Sequence, residues 1–282
     1  MASTSIPSTP RRAASQPRAG GSGTLRHAGV VAASIAVAIA VWWVVARLEI
    51  WRPLFVPSPE SVWDQLVRTE STTEGRRGYS GHYLHEHLWA SLRRILEGLG
   101  VAILVGVPLG LLIAVVRPVG IVLMPGIDFV RSLPPLAYFS LLVIWFGIEE
   151  RPKVVLLFLA ALPPIVIATA DAVRNVPADR VLAVRSLGAG RVQEVRHVVL
   201  PSILPELMTG IRVAVGFAFT TVVAAETING MPGIGGVVRD AQRFNQTDVV
   251  VLGIIVIGVT GVLLDYAVRL IDRWLVPWRG HG

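Results

Sequence analysis

Cysteine is absent from this 282-residue sequence, and charged side chains make up only 16% of it. Without cysteine the chain can form no disulfide, use no catalytic thiol and bind no metal through thiolates. A soluble domain usually carries about 25% charged residues, whereas the hydrophobic fraction here is 53%. The shortage of charge therefore predicts a polytopic, all-α membrane protein.

Lysine is almost absent as well, because Lys153 is the only one in the chain. A phosphate-binding loop needs a lysine followed by serine or threonine after its glycines. Lys153 lies between Pro152 and Val154, and the glycine-rich string MPGIGG at 231–236 contains no lysine. The chain therefore cannot bind ATP through such a loop, and we expect no cofactor in it.

Arginine supplies nearly all of the positive charge, and the net charge is +7. Nucleic-acid binding would be one explanation for a pI near 10.8. The arginines, however, lie between apolar runs instead of forming one basic module. We interpret them as signals that set the membrane topology.

Six apolar runs are long enough to cross a hydrocarbon core of about 30 Å. The predicted spans are 29–48, 88–116, 125–148, 153–172, 207–228 and 249–270. A cleaved signal peptide is the alternative for the first run, but the run exceeds a usual signal sequence and no small-x-small cleavage site follows it. In the second span, Gly106 and Gly110 form a small-xxx-small face.

Paired prolines interrupt two of these runs, at Pro134-Pro135 in the third and at Pro163-Pro164 in the fourth. Each pair removes two backbone donors, and the freed carbonyls need protein or water to satisfy them. The breaks therefore favour positions inside the bundle or beside a wet path, with ordinary packing kinks as the alternative.

The polar segments set the domain boundaries. Residues 1–24 have the composition of a disordered tail, 25–48 contain the first span, 49–87 form an extracytoplasmic segment, 88–276 form the transmembrane domain with a polar loop at 171–209, and 277–282 are a second tail. Within 49–87, Ser58-Pro59-Glu60 predicts a helix start and 75–81 a flexible loop.

Histidine is concentrated in the same segment, at positions 82, 85 and 87. This spacing suggests a metal site, but the rest of a ligand set is missing, so we predict no metal.

Six spans place both termini and the loop 171–209 on one side of the membrane. The arginines on that side are Arg11, Arg12, Arg18, Arg26, Arg174, Arg180, Arg185, Arg191, Arg196, Arg273 and Arg279, whereas the other side keeps Arg52, Arg68, Arg76 and Arg77. The positive-inside rule makes the first side cytoplasmic. We therefore expect a multi-pass protein of the cell membrane with cytoplasmic termini.

The loop at 171–209 has helical periodicity. Apolar residues recur as Ala178, Val181, Val184 and Leu187, and then as Val192, Val195 and Val199. Gly188 and Gly190 separate the two stripes, and Pro201 is expected to end the second one. The pattern predicts a small helix-turn-helix outside the membrane.

This loop also carries a resemblance to a known family. Gly188, nine residues, Val198, one residue and Leu200-Pro201 resemble the cytoplasmic coupling loop of permease subunits of bacterial ABC importers. Where that family has Glu-Ala-Ala, this chain has Leu182-Ala183-Val184. The segments RSLPPLAYFSLLVIWFGI, LPELMTGIRVAVGFAFTTVVAAETI, TDVVVLGIIVIGV and LVPWRG are similar to the sulfonate, nitrate and taurine branch of these importers.

The resemblance implies a MetI-like core of five helices plus one N-terminal helix, and a permease for taurine or a related alkanesulfonate. It also implies a homodimer, two cytoplasmic ATP-binding subunits that hydrolyse ATP in place of this chain, and an extracytoplasmic substrate-binding protein. The residues implied to couple to the ATPase are Arg180, Leu182, Ala183, Arg185, Ser186, Leu187, Gly188, Ala189, Arg191, Glu194, Leu200 and Pro201.

A zwitterionic sulfonate needs a polar path with little charge along it. The candidates for that path are Pro134, Pro135, Tyr138, Ser140, Thr220, Thr221 and Glu226. A carboxylate at the depth of Glu226 usually marks a pathway or a partner, although it can also reach for the interface. Near the end of the last span, Asp265 and Arg269 are predicted to pair.

Other functions remain open at this point. A permease of the same branch for nitrate or another small anion would have the same motifs. An ion-coupled secondary transporter would also explain broken helices, although such proteins usually carry both repeats in a longer chain. An intramembrane enzyme would need a paired acid, a Ser-Lys pair or a His-metal group at depth, and the sequence offers only Glu226.

Overall fold

The computed structural model describes residues 22–48, 54–73, 75–229 and 232–278, so most of the two predicted tails lies outside it. The described part is all-α except for one hairpin. Its elements are α1 Ser22–Arg47, α2 Pro59–Thr69, β1 Thr72–Thr73, β2 Arg76–Arg77, α3 Leu84–Val115, α4 Arg117–Ser132, α5 Pro135–Phe146, α6 Arg151–Arg174, α7 Ala178–Ser186, α8 Arg191–Glu194, a π-helical turn at Val195–Val199, α9 Leu200–Asn229, α10 Ile234–Arg243 and α11 Thr247–Leu275.

Helix α1 belongs to a unit of its own, separate from the remainder of the chain. Its apolar stretch Gly29–Arg47 has none of its side chains buried. An apolar helix of this length with no buried residue is suited to contact with lipid, as expected for the first span.

The second unit is built around α6, which packs against both α3 and α9. Their shared core contains Ala102, Ala161, Ile165, Leu207 and Ala214. Small residues dominate this list because the helix backbones approach each other closely, which is the usual way helices associate in a membrane.

Glycines on α3 set the distance to α6, as the small-xxx-small pattern predicts. A Cβ added at Gly106 would lie 3.0 Å from Ile165 Cγ2, and one added at Gly110 would lie 2.6 Å from Thr169 Cβ. Neither position has room for a larger residue without separating the helices.

The third predicted span is broken at Pro134-Pro135, as expected. Helices α4 and α5 meet there at an angle of 100°, because a proline disfavours the helical conformation of the residue before it. Five described helices are long and apolar enough to cross a membrane, and the sixth span is complete only if α4 and α5 count as one.

The prediction of a break at Pro163-Pro164 was wrong, since α6 runs through both prolines without interruption. Packing on two sides holds the helix in place: Pro163 is buried, and the Pro164 carbonyl lies 3.4 Å from the position of a Cβ on Gly210 of α9. These contacts outweigh the roughly 3 kcal/mol by which a proline disfavours a helix interior.

Pro201 does not end its helix either, which corrects a second prediction. The chain continues from α8 through the π-helical turn into α9. In this turn the Leu200 N–H donates to the Val195 carbonyl, five residues back. Proline has no backbone N–H, and the wider π-helical turn directly before Pro201 lets the helix continue without that donor, as local π adjustments commonly do.

The segment predicted as a flexible loop at 75–81 forms a hairpin instead. Strands β1 and β2 pair antiparallel, and Tyr79 pairs with His82 beyond them. Gly78 has a φ of +49°, and a Cβ there would lie 2.2 Å from the His82 carbonyl oxygen, so this turn requires glycine. The predicted start of α2 is confirmed, because the Ser61 N–H donates to Ser58 Oγ at 3.2 Å.

Replacing Gly110 with alanine should loosen the α3–α6 contact, because the new methyl group would overlap Thr169. Overpacking of this kind should lower the thermal midpoint in detergent by roughly 5 °C. The matched control is Gly100→Ala on the same helix, where an added Cβ meets nothing within 4 Å. Equal midpoints for the two variants would contradict the close approach.

Candidate functional site

A cavity of about 680 Å³ lies between the bent pair α4–α5 and helices α6 and α9. Its wall is mainly apolar and includes Pro135, Tyr138, Pro163, Pro164 and Phe217. Three charged residues also line it, Arg131, Asp171 and Glu206. Asp171 lies near the end of α6 and Glu206 near the start of α9, so the charged end of the cavity faces the side of α7 and α8.

The structure brings only some of the predicted path residues to this cavity. Pro135 and Tyr138 line it. Pro134, Ser140 and Thr220 are exposed on the surface of the single chain, and the Thr220 hydroxyl donates to backbone carbonyls of its own helix. Thr221 and Glu226 are buried and do not line the cavity.

Sequence reasoning missed most of the cavity wall. Glu206, Gly210, Val213 and Phe217 recur on α9 at intervals of three and four residues, which is the period of one helix face. That face could have been recognised from the two unusual members of the apolar run, Glu206 and Gly210. The partners on α4 and α6 could not, because their approach depends on the 100° bend.

Glu226 is the most deeply buried charge in the described part of the chain, with 0% of its surface exposed. Arg94 of α3 lies beside it, is 3% exposed, and donates from Nη1 to Glu226 Oε1 at 2.6 Å. Ser91 Oγ lies 2.8 Å and 2.9 Å from the two carboxylate oxygens. The sequence did not identify these partners of Glu226, because they lie more than 130 residues earlier in the chain.

The same carboxylate caps helix α10, which begins in the string MPGIGG. The Gly235 N–H donates to Glu226 Oε2 at 3.0 Å, and the Ile234 N–H donates to Ser91 Oγ at 3.1 Å. Helix N-termini attract anions because their first N–H groups are unsatisfied and the dipole is positive there. This glycine string therefore binds an anion supplied by the protein itself, in place of a phosphate.

Glu150, in the connection between α5 and α6, completes the charge cluster. Arg94 Nε and Nη2 donate to its two oxygens at 2.5 Å and 2.8 Å, and Lys153 Nζ lies 3.2 Å away. The hydrogen bonds from Arg94 lower the pKa of Glu150 to about 2. One guanidinium thus joins α3, α9 and the start of α6, within a cluster of two acids and two bases.

The three histidines predicted as a weak metal candidate have separate partners. His87 Nδ1 accepts from the Gly233 N–H, so its Nε2 carries the hydrogen and donates to the Tyr79 carbonyl. His85 pairs with Glu70 at 2.7 Å, and His82 lies 3.6 Å from Glu86. Across the described ranges, no group of three His, Cys, Asp or Glu residues is placed to hold a metal ion.

The predicted helix-turn-helix is present as α7 and α8. Gly188, at the turn, has a φ of +83°, which ends α7 in the left-handed conformation that glycine favours. Arg185 of α7 makes two hydrogen bonds to Glu194 of α8, at 2.7 Å and 3.0 Å. The two short helices are therefore held in a fixed arrangement.

This helix pair presents apolar side chains to the surroundings. Leu187 is 86% exposed and Val192 is 80% exposed, on either side of the turn, and Leu182 is exposed as well. Neither α7 nor α8 has a buried residue. Several large apolar side chains exposed on one short helix pair suggest a surface that binds another protein.

Replacing Arg94 with methionine should leave Glu226 buried and unpaired, and should destabilise the protein by about 3–5 kcal/mol. In the double variant Arg94→Met/Glu226→Gln the uncompensated charge is gone, so part of the loss should be recovered. Thermal unfolding in detergent measures both. Arg93→Gln is the control, because Arg93 forms an exposed pair with Glu97 and should change stability by less than about 1 kcal/mol. Additive effects in the double variant would contradict the coupling.

Glu150 should make stability depend on acid pH. Its folded pKa of about 2 lies below the ordinary value of 4.5, so its ion pairs contribute fully above pH 4.5 and are lost as the pH falls from 4.5 towards 2. The thermal midpoint of wild type should therefore exceed that of Glu150→Gln at pH 7, and the difference should shrink below pH 4.5. A difference that stays constant down to pH 3 would contradict this ion pairing.

Comparison with known proteins agrees with this architecture. Residues 106–277 match the family model described as the binding-protein-dependent transport system inner membrane component. The chain is 41% identical over 248 residues to the taurine transport system permease protein TauC of Escherichia coli, covering 88% of this chain and 89% of that protein. It is 33% identical over 244 residues to the putative aliphatic sulfonates transport permease protein SsuC of Bacillus subtilis, covering 86% and 85%.

Among solved structures, the chain is similar to one from the inward-facing MetNI methionine ABC transporter. The TM-score is 0.58 at 22% identity, over 68% of this chain and 95% of that one, which confirms the expected MetI-like fold. The chain therefore belongs to the binding-protein-dependent transport system inner membrane components, which are ABC importer permeases that work with ATP-binding subunits and a substrate-binding protein and are not themselves enzymes.

Proposed function

We propose that this chain is the membrane-spanning subunit of an ATP-driven importer for taurine or a related alkanesulfonate. The observation that carries the substrate class is the 41% identity to a taurine permease along 88% of the chain. The aliphatic sulfonate relative, at 33% identity, belongs to the same chemical class. Nitrate or another small anion is the alternative within the same family.

The cavity suits a small zwitterion. One base, Arg131, and two acids, Asp171 and Glu206, line the cavity, and the rest of its wall is mainly apolar, with Tyr138 among the exceptions. The guanidinium of Arg131 could bind a sulfonate group, and one of the carboxylates could bind an ammonium group. Weak contacts along the rest of the wall would allow the substrate to be released. We assign this cavity, together with the exposed Ser140 and Thr220, to the translocation path.

The surface of α7 and α8 supports coupling to an ATP-binding subunit. Leu187 and Val192 are exposed apolar groups on a helix pair fixed by Arg185 and Glu194. We propose that this surface docks into a groove of the ATPase, in the cytoplasm, and that both termini lie on the same side. Two copies of the chain would enclose one path, and closure of two ATPases would move the helix pairs together in alternating access.

Uptake into proteoliposomes that contain the complete transporter tests the function. Radiolabelled taurine should accumulate only with ATP and the binding protein, and should continue after ionophores collapse the ion gradients. An inactive ATPase subunit is the control. Uptake that needs an ion gradient and no ATP would indicate a secondary transporter. Uptake of nitrate in place of taurine would show that the protein carries a small inorganic anion.

Acidic substitutions on the helix pair should uncouple the permease. In Leu187→Glu/Val192→Glu the new charges are exposed to water, so the permease should still fold and insert, but docking into an apolar groove should be lost. Co-purification of the ATPase should fall at least tenfold. Phe244→Glu makes the same kind of change at an exposed apolar residue beyond α10, on the proposed outer side, and should retain the ATPase. Normal co-purification with the double variant would refute this docking surface.

A further inference from the structure

A second charge cluster lies between α9 and α11 and is used by none of the sites above. Arg212 of α9 donates from Nε to Asp265 Oδ1 at 2.5 Å and from Nη2 to Oδ2 at 3.1 Å. Arg269 donates from Nε to the same Oδ2 at 2.9 Å. The predicted Asp265–Arg269 pair is therefore confirmed, and Arg212 gives the cluster an excess of one positive charge.

Arg212 lies within the apolar part of α9. It is the sixth residue of the predicted span 207–228, and Asp265 lies five residues before the end of the predicted span 249–270. At 1.5 Å per residue these positions are about 8 Å from the nearer ends of their spans. Both are therefore inside an apolar layer of about 30 Å.

Despite its place in the apolar layer, the cluster is open on the surface of the single chain. The Arg212 side chain is 46% exposed, and within the described residues no acceptor lies at its Nη1 group. A charged side chain in contact with acyl chains is disfavoured inside this layer. We therefore expect the exposed side of Arg212 to face water or another protein subunit.

The neighbouring residues favour a wet path. Thr209, Gly216 and Thr220 share one exposed stripe of α9 with Arg212, at intervals of three and four residues. Thr209 also lines the cavity, as does Val213, the residue after Arg212. The stripe that carries the charge thus borders the proposed translocation path, and its other members are small or polar.

We propose that Arg212 is an anion-binding position on the translocation path, held by Asp265 so that its free Nη1 side can receive the sulfonate group of the substrate. Asp265 is a positioning residue, because it orients the guanidinium without touching the substrate. Binding of the anion by a single base is weak enough to allow its release. This inference rests on the proposed function and names the residue that selects for negative charge within it.

The absence of native cysteine allows a direct test of the local charge. A Cβ on Gly216, one turn from Arg212, would meet nothing within 4 Å, so Gly216→Cys should fold. In the complete transporter, the introduced thiol should react at least about fivefold faster with an anionic than with a cationic water-soluble methanethiosulfonate. Adding Arg212→Gln should abolish that preference, and taurine should slow the anionic reagent only while Arg212 is present.

Arg273→Gln is the matched control, since it removes an exposed arginine of α11 close to its end and should leave the preference unchanged. A preference that survives Arg212→Gln would overturn the proposal. So would a Gly216→Cys variant that reacts with neither reagent, which would show that the stripe is sealed by the second copy or by lipid.

Transport supplies the second measurement. Arg212→Gln should reduce the taurine uptake rate about tenfold, while membrane insertion and ATPase association stay normal. Arg212→Lys, which keeps the positive charge, should retain most of the wild-type uptake rate. Wild-type uptake by Arg212→Gln would reject the role. If the wild-type protein carries no sulfonate, the proposed function fails, whereas the reagent preference of the Gly216→Cys variant still reports on Arg212.

Discussion

The buried carboxylate of Glu226 has no access to water, so neighbouring groups must balance its charge. This requirement determines how the helices pack at one end of the bundle. Arg94, Ser91 and the Gly235 N–H at the start of α10 all donate to this carboxylate. Because Arg94 also binds Glu150, the same cluster fixes the start of α6. Removing Arg94 would leave Glu226 without a counter-ion in an apolar bundle, where an unpaired ion is far less stable than in water. Four separate elements are therefore held in register by one balanced group of charges.

The opposite end of the bundle is built on a different principle. There α4 and α5 diverge by 100°, and the space between them and α9 remains open as the cavity. The small helices α7 and α8 stand beyond it with no buried residue and an exposed apolar surface. Ion pairs thus hold one end of the bundle together, whereas the other end has few buried contacts. Regions with few buried contacts are the ones that move most easily, and a permease that works by alternating access needs such a region.

The sequence predicted the features that depend on local chemistry. Spans, the glycine face of α3, the break at Pro134, the cap at Ser58 and the turn at Gly188 all follow from neighbouring residues or from helical period. Predictions failed where distant packing decides the outcome. Pro163-Pro164 stays helical because α6 packs between α3 and α9. Glu226 has its partner because α3, which lies far away in the sequence, packs beside it. Most of the cavity wall was missed, because the approach of α4 and α6 depends on the angle between α4 and α5, which no sequence period encodes.

The π-helical turn before Pro201 makes the α8 segment continuous with α9, giving one uninterrupted rod from Arg191 to Ile228. Its far end is anchored by the ion pair of Glu226, and its near end carries the exposed Val192. A rod held at one tip and pushed at the other acts as a lever. A small displacement by a partner outside the membrane would then tilt the α9 side of the cavity about the buried charges.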